Sequence, residues 1–285
     1  MWRRTKRIVK EVFEIRKKPE IKILPGHLAF FLMLSIVPTI TLIGYIGSFL
    51  GLSTEVIAEF LTKSFTKETA ELLMPILSGK TFDIKIFTVI FSGYVIASNG
   101  AHSLIVVSNT IYNIESSSYI RRRVKAIFMT TFIVALMLFL IIVPVFGNKI
   151  FILVSKSYPN IAMFKQLFSY LSLPLSFFIV FIFVKIIYTM APDKKVPSFT
   201  VNKGTIFVTI MFVIVTEIYT YYVHNLANYG VFYGGLTNIV MVMIWLYFLS
   251  YSLVIGIALN YSSEKSYIEN AISVDKLKKL AQEKK

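Results

Sequence analysis

Gly204–Asn260 reads GTIFVTIMFVIVTEIYTYYVHNLANYGVFYGGLTNIVMVMIWLYFLSYSLVIGIALN. Glu217 is the one Asp, Glu, Lys or Arg within it, and no such residue occurs from Ile218 to Ser263. As a single helix that uncharged run of 46 residues would be ~70 Å long, at ~1.5 Å per residue. A bilayer core is ~30 Å thick. The run therefore has to fold back, and Asn225, Asn228, Gly230, Gly234 and Gly235 supply the break. The stretch reads as a helical hairpin in a membrane with an acid in its first arm.

Composition agrees with that setting. Of 285 residues, 56% are hydrophobic and 16% charged, and the mean hydropathy is +0.70. A soluble domain carries about 25% charge. The formal net charge of +15 would suggest nucleic acid in a soluble protein. Here the basic residues are gathered in loops, so no nucleic-acid partner is expected. The absence of cysteine excludes disulfides, zinc-thiolate sites and cysteine nucleophiles. Three histidines and three aspartates form no H-x-H-x-D-H or H-E-x-x-H motif. No catalytic residue, metal or cofactor is expected, and the chain does not read as an enzyme.

Outward from the hairpin, the expected fold is all-α, a polytopic bundle of six transmembrane helices with amphipathic interfacial helices. Residues 1–26 hold nine Lys/Arg, with Ile8, Val9, Val12 and Phe13 at helical spacing. They read as a basic amphipathic helix on the cytoplasmic leaflet. The spans fall at about 27–50, 86–107, 126–146, 167–190, 204–223 and 239–261. Pro38 is expected to kink the first. Residues 51–85 are too charged to span, and suggest two short interfacial helices. Residues 262–285 form a lysine-rich tail with a short helix from Ser273.

Six spans place both termini on one side. The N-terminal segment, loops 2–3 and 4–5, and the tail hold 22 Lys/Arg, against 7 in the three other loops. The positive-inside rule then makes both termini cytoplasmic.

Glu217 is the leading candidate site residue. A charged side chain at the centre of a span costs ~2.5–3.5 kcal/mol on insertion scales. It needs a partner, a water-filled cavity or a proton. Tyr221, His224 and Asn228 follow it on one helical face (i+4, i+7, i+11). Asn99 and His102 make a second polar face, on span 2, that can line the same cavity. Such groups also serve as hydrogen-bonding glue between membrane helices. Arg121, Arg122 and Arg123 can grip anionic lipid headgroups, although topology alone accounts for a basic loop there. An aromatic belt accounts for most tyrosines near the outer ends of spans 5 and 6.

Four pieces of sequence resemble the YihY/BrkB family of bacterial inner-membrane proteins, formerly mislabelled ribonuclease BN. They are GHLAFFLMLSIVP (Gly26–Pro38), SNTIYNI (Ser108–Ile114), VTEIYTYYV (Val215–Val223) and YGGLTNIVMVMIWLYFLSYSLVIGIALN (Tyr233–Asn260). The resemblance covers roughly residues 20–262. It implies a six-helix protein of the bacterial cell membrane, for which transport of a lipid or other envelope component is the expectation. The family often has an acid just before the closing Leu-Asn; Ala258 stands there here, so no role for that acid carries over.

The sequence thus points to transport or flipping of an amphiphilic envelope component through a polar cavity around Glu217, with membrane lipids as partners. The alternative is a non-transporting scaffold or envelope-integrity factor that binds partner proteins.

Overall fold

The computed structural model describes residues 10–15, 17–49, 84–115, 117–135, 162–225 and 235–282. Among these residues all regular structure is helical. The helices are α1 (Pro19–Phe49), α2 (Ile84–Tyr112), α3 (119–135), α4 (Ala162–Met190), α5 (Asn202–Asn225) and α6 (Gly235–Gln282). A short helical piece, 10–15, precedes α1. The expected interfacial helices of 51–78, the outer half of the third span and the 226–234 turn lie outside the described residues.

Two segments are long and apolar enough to cross a membrane, Asn202–Tyr222 and Ile239–Glu269. They are the two arms of the hairpin. Ile21–Ile36 and Phe177–Met190 are shorter apolar helices.

Local chemistry sets several helix ends. Pro19 occupies the first position of α1, where a missing N–H costs nothing. The Lys18 carbonyl accepts from Lys22 N at 3.3 Å. α1 then continues through Pro25 and Pro38. Asn113 ends α2 in the left-handed region, at φ 52°. Ile114 N donates to Asn109 O at 3.0 Å and Asn113 N to Thr110 O at 3.3 Å, the paired bonds of a Schellman cap. α6 runs 48 residues, ~72 Å. After Gly256 it contains neither glycine nor proline, so the tail continues span 6 as one helix rather than starting a new one at Ser273.

α1 packs along α2, and α6 against α5, α1 and α2; α4 lies against α5. Leu28, Ile105, Met129, Val208 and Ile257 are fully buried where these helices meet. Further along, Tyr219 of α5 stacks on Trp245 of α6, with ring centroids 5.3 Å apart. The outer faces carry exposed aliphatics such as Ile206, Ile210, Ile214 and Ile218 of α5.

Candidate functional site

Much of the polar chemistry of the described residues gathers at one end of the bundle. The 113–118 turn, the 191–201 turn, residues 10–18 and the far part of α6 meet there.

Asp193 is the centre of this end. Its Oδ2 accepts from Asn109 Nδ2 (2.8 Å), Ser117 N (3.1 Å) and Ser117 Oγ (2.8 Å). Its Oδ1 takes the Lys125 ammonium at 2.9 Å. Its own N–H donates to Asn109 Oδ1 at 2.9 Å. Burial pushes this carboxyl up, but the bonds from Lys125, Ser117 and Asn109 outweigh burial and hold it well below the usual carboxylate range. Lys125 Nζ also donates to Ala191 O (2.9 Å) and Pro192 O (2.8 Å). One ammonium thereby satisfies the carbonyls just past the C-terminus of α4 and offsets the negative end of its dipole.

A second knot lies beside it. Lys194 Nζ bonds buried Glu264 Oε2 at 2.7 Å and sits 4.8 Å from the Tyr112 ring centre. The Tyr112 ring meets Tyr261 edge-on at 5.5 Å. Burial, and then the Glu264 charge, push the Tyr112 phenol up. A third contact ties the N-terminal segment to the extension of α6. Glu11 accepts from Ser262 Oγ and Lys265 Nζ, each at 2.6 Å. The bond to Glu11 raises the Lys265 pKa.

An open cleft of about 550 Å³ lies over the Asp193 knot. Arg121, Lys125, Lys194 and Lys195 give it a basic wall, and Met190, Pro192 and Val196 an apolar floor.

The three arginines of the 121–123 run diverge. Arg121 is exposed and lines the cleft. Arg122 is half-buried. Arg123 turns inward, with Nη1 to Asn99 Oδ1 and Nη2 to Val95 O, both 2.7 Å. Asn99 is thus held against α3. His102 meets the Tyr119 ring edge-on at 5.8 Å. One residue on, Ser103 Oγ is 3.0 Å from His27 Nδ1 of α1. Glu217 stands apart from these groups, on the exposed face of α5. Tyr221 is 66% exposed on the same face. The His224 side chain and Asn228 lie outside the described residues.

Asn109, Asp193, Lys194 and Glu264 are absent from the candidates read in the sequence. Part of the signal is local: SNTIYNI carries Asn109, and Asp193, beside Lys194, is the lone acid in the basic turn APDKK. Their meeting depends on separations of 70 or more residues, which no local pattern reports. Among the described residues no three His, Asp or Glu side chains gather as a metal site.

The family model described as virulence factor BrkB matches residues 17–278. The putative ribonuclease-like protein YfkH of Bacillus subtilis (strain 168) is 28% identical over 257 residues, covering 88% of this chain and 93% of that one. No solved structure matches.

Proposed function

The chain belongs to the BrkB family of bacterial membrane proteins, and on that premise we propose that it moves a lipid or other amphiphilic envelope component across the cell membrane. The reading comprises six spans with both termini cytoplasmic. Its support is the meeting of four segments at one end of the bundle. Residues 10–18, the turns after α2 and α4, and the far part of α6 all belong on one side in the alternation drawn from Lys/Arg counts. Asp193–Ser117, Lys194–Glu264 and Glu11–Lys265 join these segments directly.

The observation that carries the transport reading is the position of Glu217. It stands on an exposed face of a membrane-capable helix, between Val213, Ile214 and Ile218. It lies 14 residues past Lys203, ~21 Å along the helix. A carboxylate in hydrocarbon at that depth is costly unless a polar group or water reaches it. The path therefore runs along the exposed face of α5, where the headgroup meets Glu217 and Tyr221 while the apolar tails stay in the bilayer. His224 and Asn228 extend that line by helical spacing. Asn99, held by Arg123, and His102 lie on α2, apart from this path.

Proteoliposomes with fluorescently labelled phosphatidylglycerol in one leaflet test this. Glu217→Gln is expected to slow transbilayer movement at least tenfold while inserting at wild-type levels. Undiminished movement in that variant removes the acid from the mechanism. The relative's ribonuclease-like name supplies a competing activity. RNA cleavage by the purified chain with added divalent metal, and no lipid movement, would overturn the transport reading.

A further inference from the structure

We propose that the cleft between the start of α3 and the α4–α5 turn is a binding site for a phosphate-type anion, with Arg121 and Lys195 as its two ligating side chains. This goes beyond the Glu217 path and does not depend on it, since the cleft lies at the other end of α5.

Four basic residues line the cleft, but two are committed. Lys125 is held by Asp193 and two carbonyls. Lys194 is held by Glu264, which does not line the cleft. Arg121 and Lys195 are exposed. The acid within the cleft, Asp193, takes four hydrogen bonds from the protein across its two oxygens. It is saturated and turned into the framework, so it does not oppose an incoming anion at full strength. The negative end of the α4 dipole would also repel an anion, and Lys125 covers it. The arrangement thus offsets the negative groups that line the cleft and leaves an exposed guanidinium and an exposed ammonium there.

Those two groups suit a phosphate. A guanidinium presents paired N–H donors that match two oxygens of one phosphate, and an ammonium adds a point charge to a third. The floor of Met190, Pro192 and Val196 gives apolar contact beside the charge. That combination matches a phospholipid headgroup and the start of its glycerol. Free phosphate offers the same oxygens without the apolar part.

The test uses the full chain in detergent, measuring binding by the rise in melting temperature with added ligand. The ligands are phosphatidylglycerol, phosphatidylcholine and inorganic phosphate. Wild type is expected to bind phosphatidylglycerol at least tenfold more tightly than phosphatidylcholine. The double variant Arg121→Gln/Lys195→Gln is expected to lose about tenfold in phosphatidylglycerol affinity, with its ligand-free melting unchanged. The control Lys17→Gln/Lys22→Gln removes the same charge from exposed positions outside the cleft, and is expected to keep wild-type affinity. Equal loss in both double variants would show general charge attraction and overturn the site. An unaffected cleft variant would do the same. Inorganic phosphate competing at equal concentration would support the site and assign it to a free anion; phosphate without effect would support the site and assign it to the lipid.

Discussion

Gly204 and Asn260, the two ends of the hairpin sequence, touch. The Gly204 N–H donates to Asn260 Oδ1 at 2.8 Å, and both residues are buried. Gly204 lies in the first turn of α5, where backbone N–H groups have no intrahelical acceptor. The amide of a residue 56 positions away supplies one. A Cβ on residue 204 would overlap both that amide and the Gly256 carbonyl. The crossing of α5 and α6 is therefore set by backbone approaching backbone, as small residues allow between membrane helices.

Gly204→Ala is expected to force α5 and α6 apart, because one of the atoms in its way is main chain and cannot rotate aside. The cost is about 2–3 kcal/mol, the upper part of the range for overpacking. Asn260→Ala leaves the glycine N–H unpaired and costs about 1–2 kcal/mol. Melting of the purified protein in detergent measures both. An unshifted Gly204→Ala would mean that the helices do not approach as described.

Asp193→Asn is expected to lower stability by about 2 kcal/mol, since Lys125 would keep its burial and lose its counter-charge. The effect depends on pH. The Asp193 pKa is depressed in the folded chain, so its contribution is fully present above the unfolded value of ~3.9 and fades as pH falls below it. Wild type and variant should therefore differ at pH 6 and converge as pH falls below about 4. A difference that stays constant with pH would contradict this account.

The hairpin was legible because its signal is local: an uncharged run too long for one crossing, closed by a cluster of Asn and Gly. The length of α6 was less so. The charged residues after Ser263 suggested a separate tail, yet nothing there breaks a helix, and charge alone does not end one. The candidate site depends least on local pattern. Helical spacing puts Glu217 and Tyr221 on one face, but it cannot say which way that face points. The Arg121–Arg123 run shows the same limit. At 100° per residue its members must diverge, and only the folded contacts show that Arg123 reaches Asn99 while Arg121 lines the cleft. Asp193 meets Asn109, and Glu264 meets Lys194, through tertiary structure alone.

The contact of Glu11 with Ser262 and Lys265 should act as a clasp for the N-terminal segment with little weight in overall stability. Lys265 is half-exposed, and such pairs are worth about 0–1 kcal/mol and weaken in salt. Glu11→Gln is expected to speed tryptic cleavage within residues 10–18 severalfold and to leave the melting temperature within a degree. High salt should do the same to wild type. The raised Lys265 pKa gives a contribution that is complete below the unfolded value of ~10.4 and disappears as pH rises through the folded one. Cleavage that ignores both salt and the substitution would place the segment's anchorage elsewhere.

Tyr188 and Gly256 offer a test by double substitution. The buried Tyr188 hydroxyl donates to Leu253 O at 2.9 Å. A Cβ on residue 256 would overlap that same hydroxyl and a Val208 methyl, and would come 3.1 Å from Tyr188 Cζ. Tyr188→Phe alone should cost about 1 kcal/mol, the worth of one buried hydrogen bond. Gly256→Ala alone should cost about 1–3 kcal/mol through overpacking. Together they should cost less than the two added, by about 0.5–1 kcal/mol, because removing the hydroxyl clears part of the space the new methyl needs. The Val208 methyl remains in place, so recovery should be partial. Strict additivity across the four proteins in the cycle would mean that the tyrosine hydroxyl does not sit over the glycine.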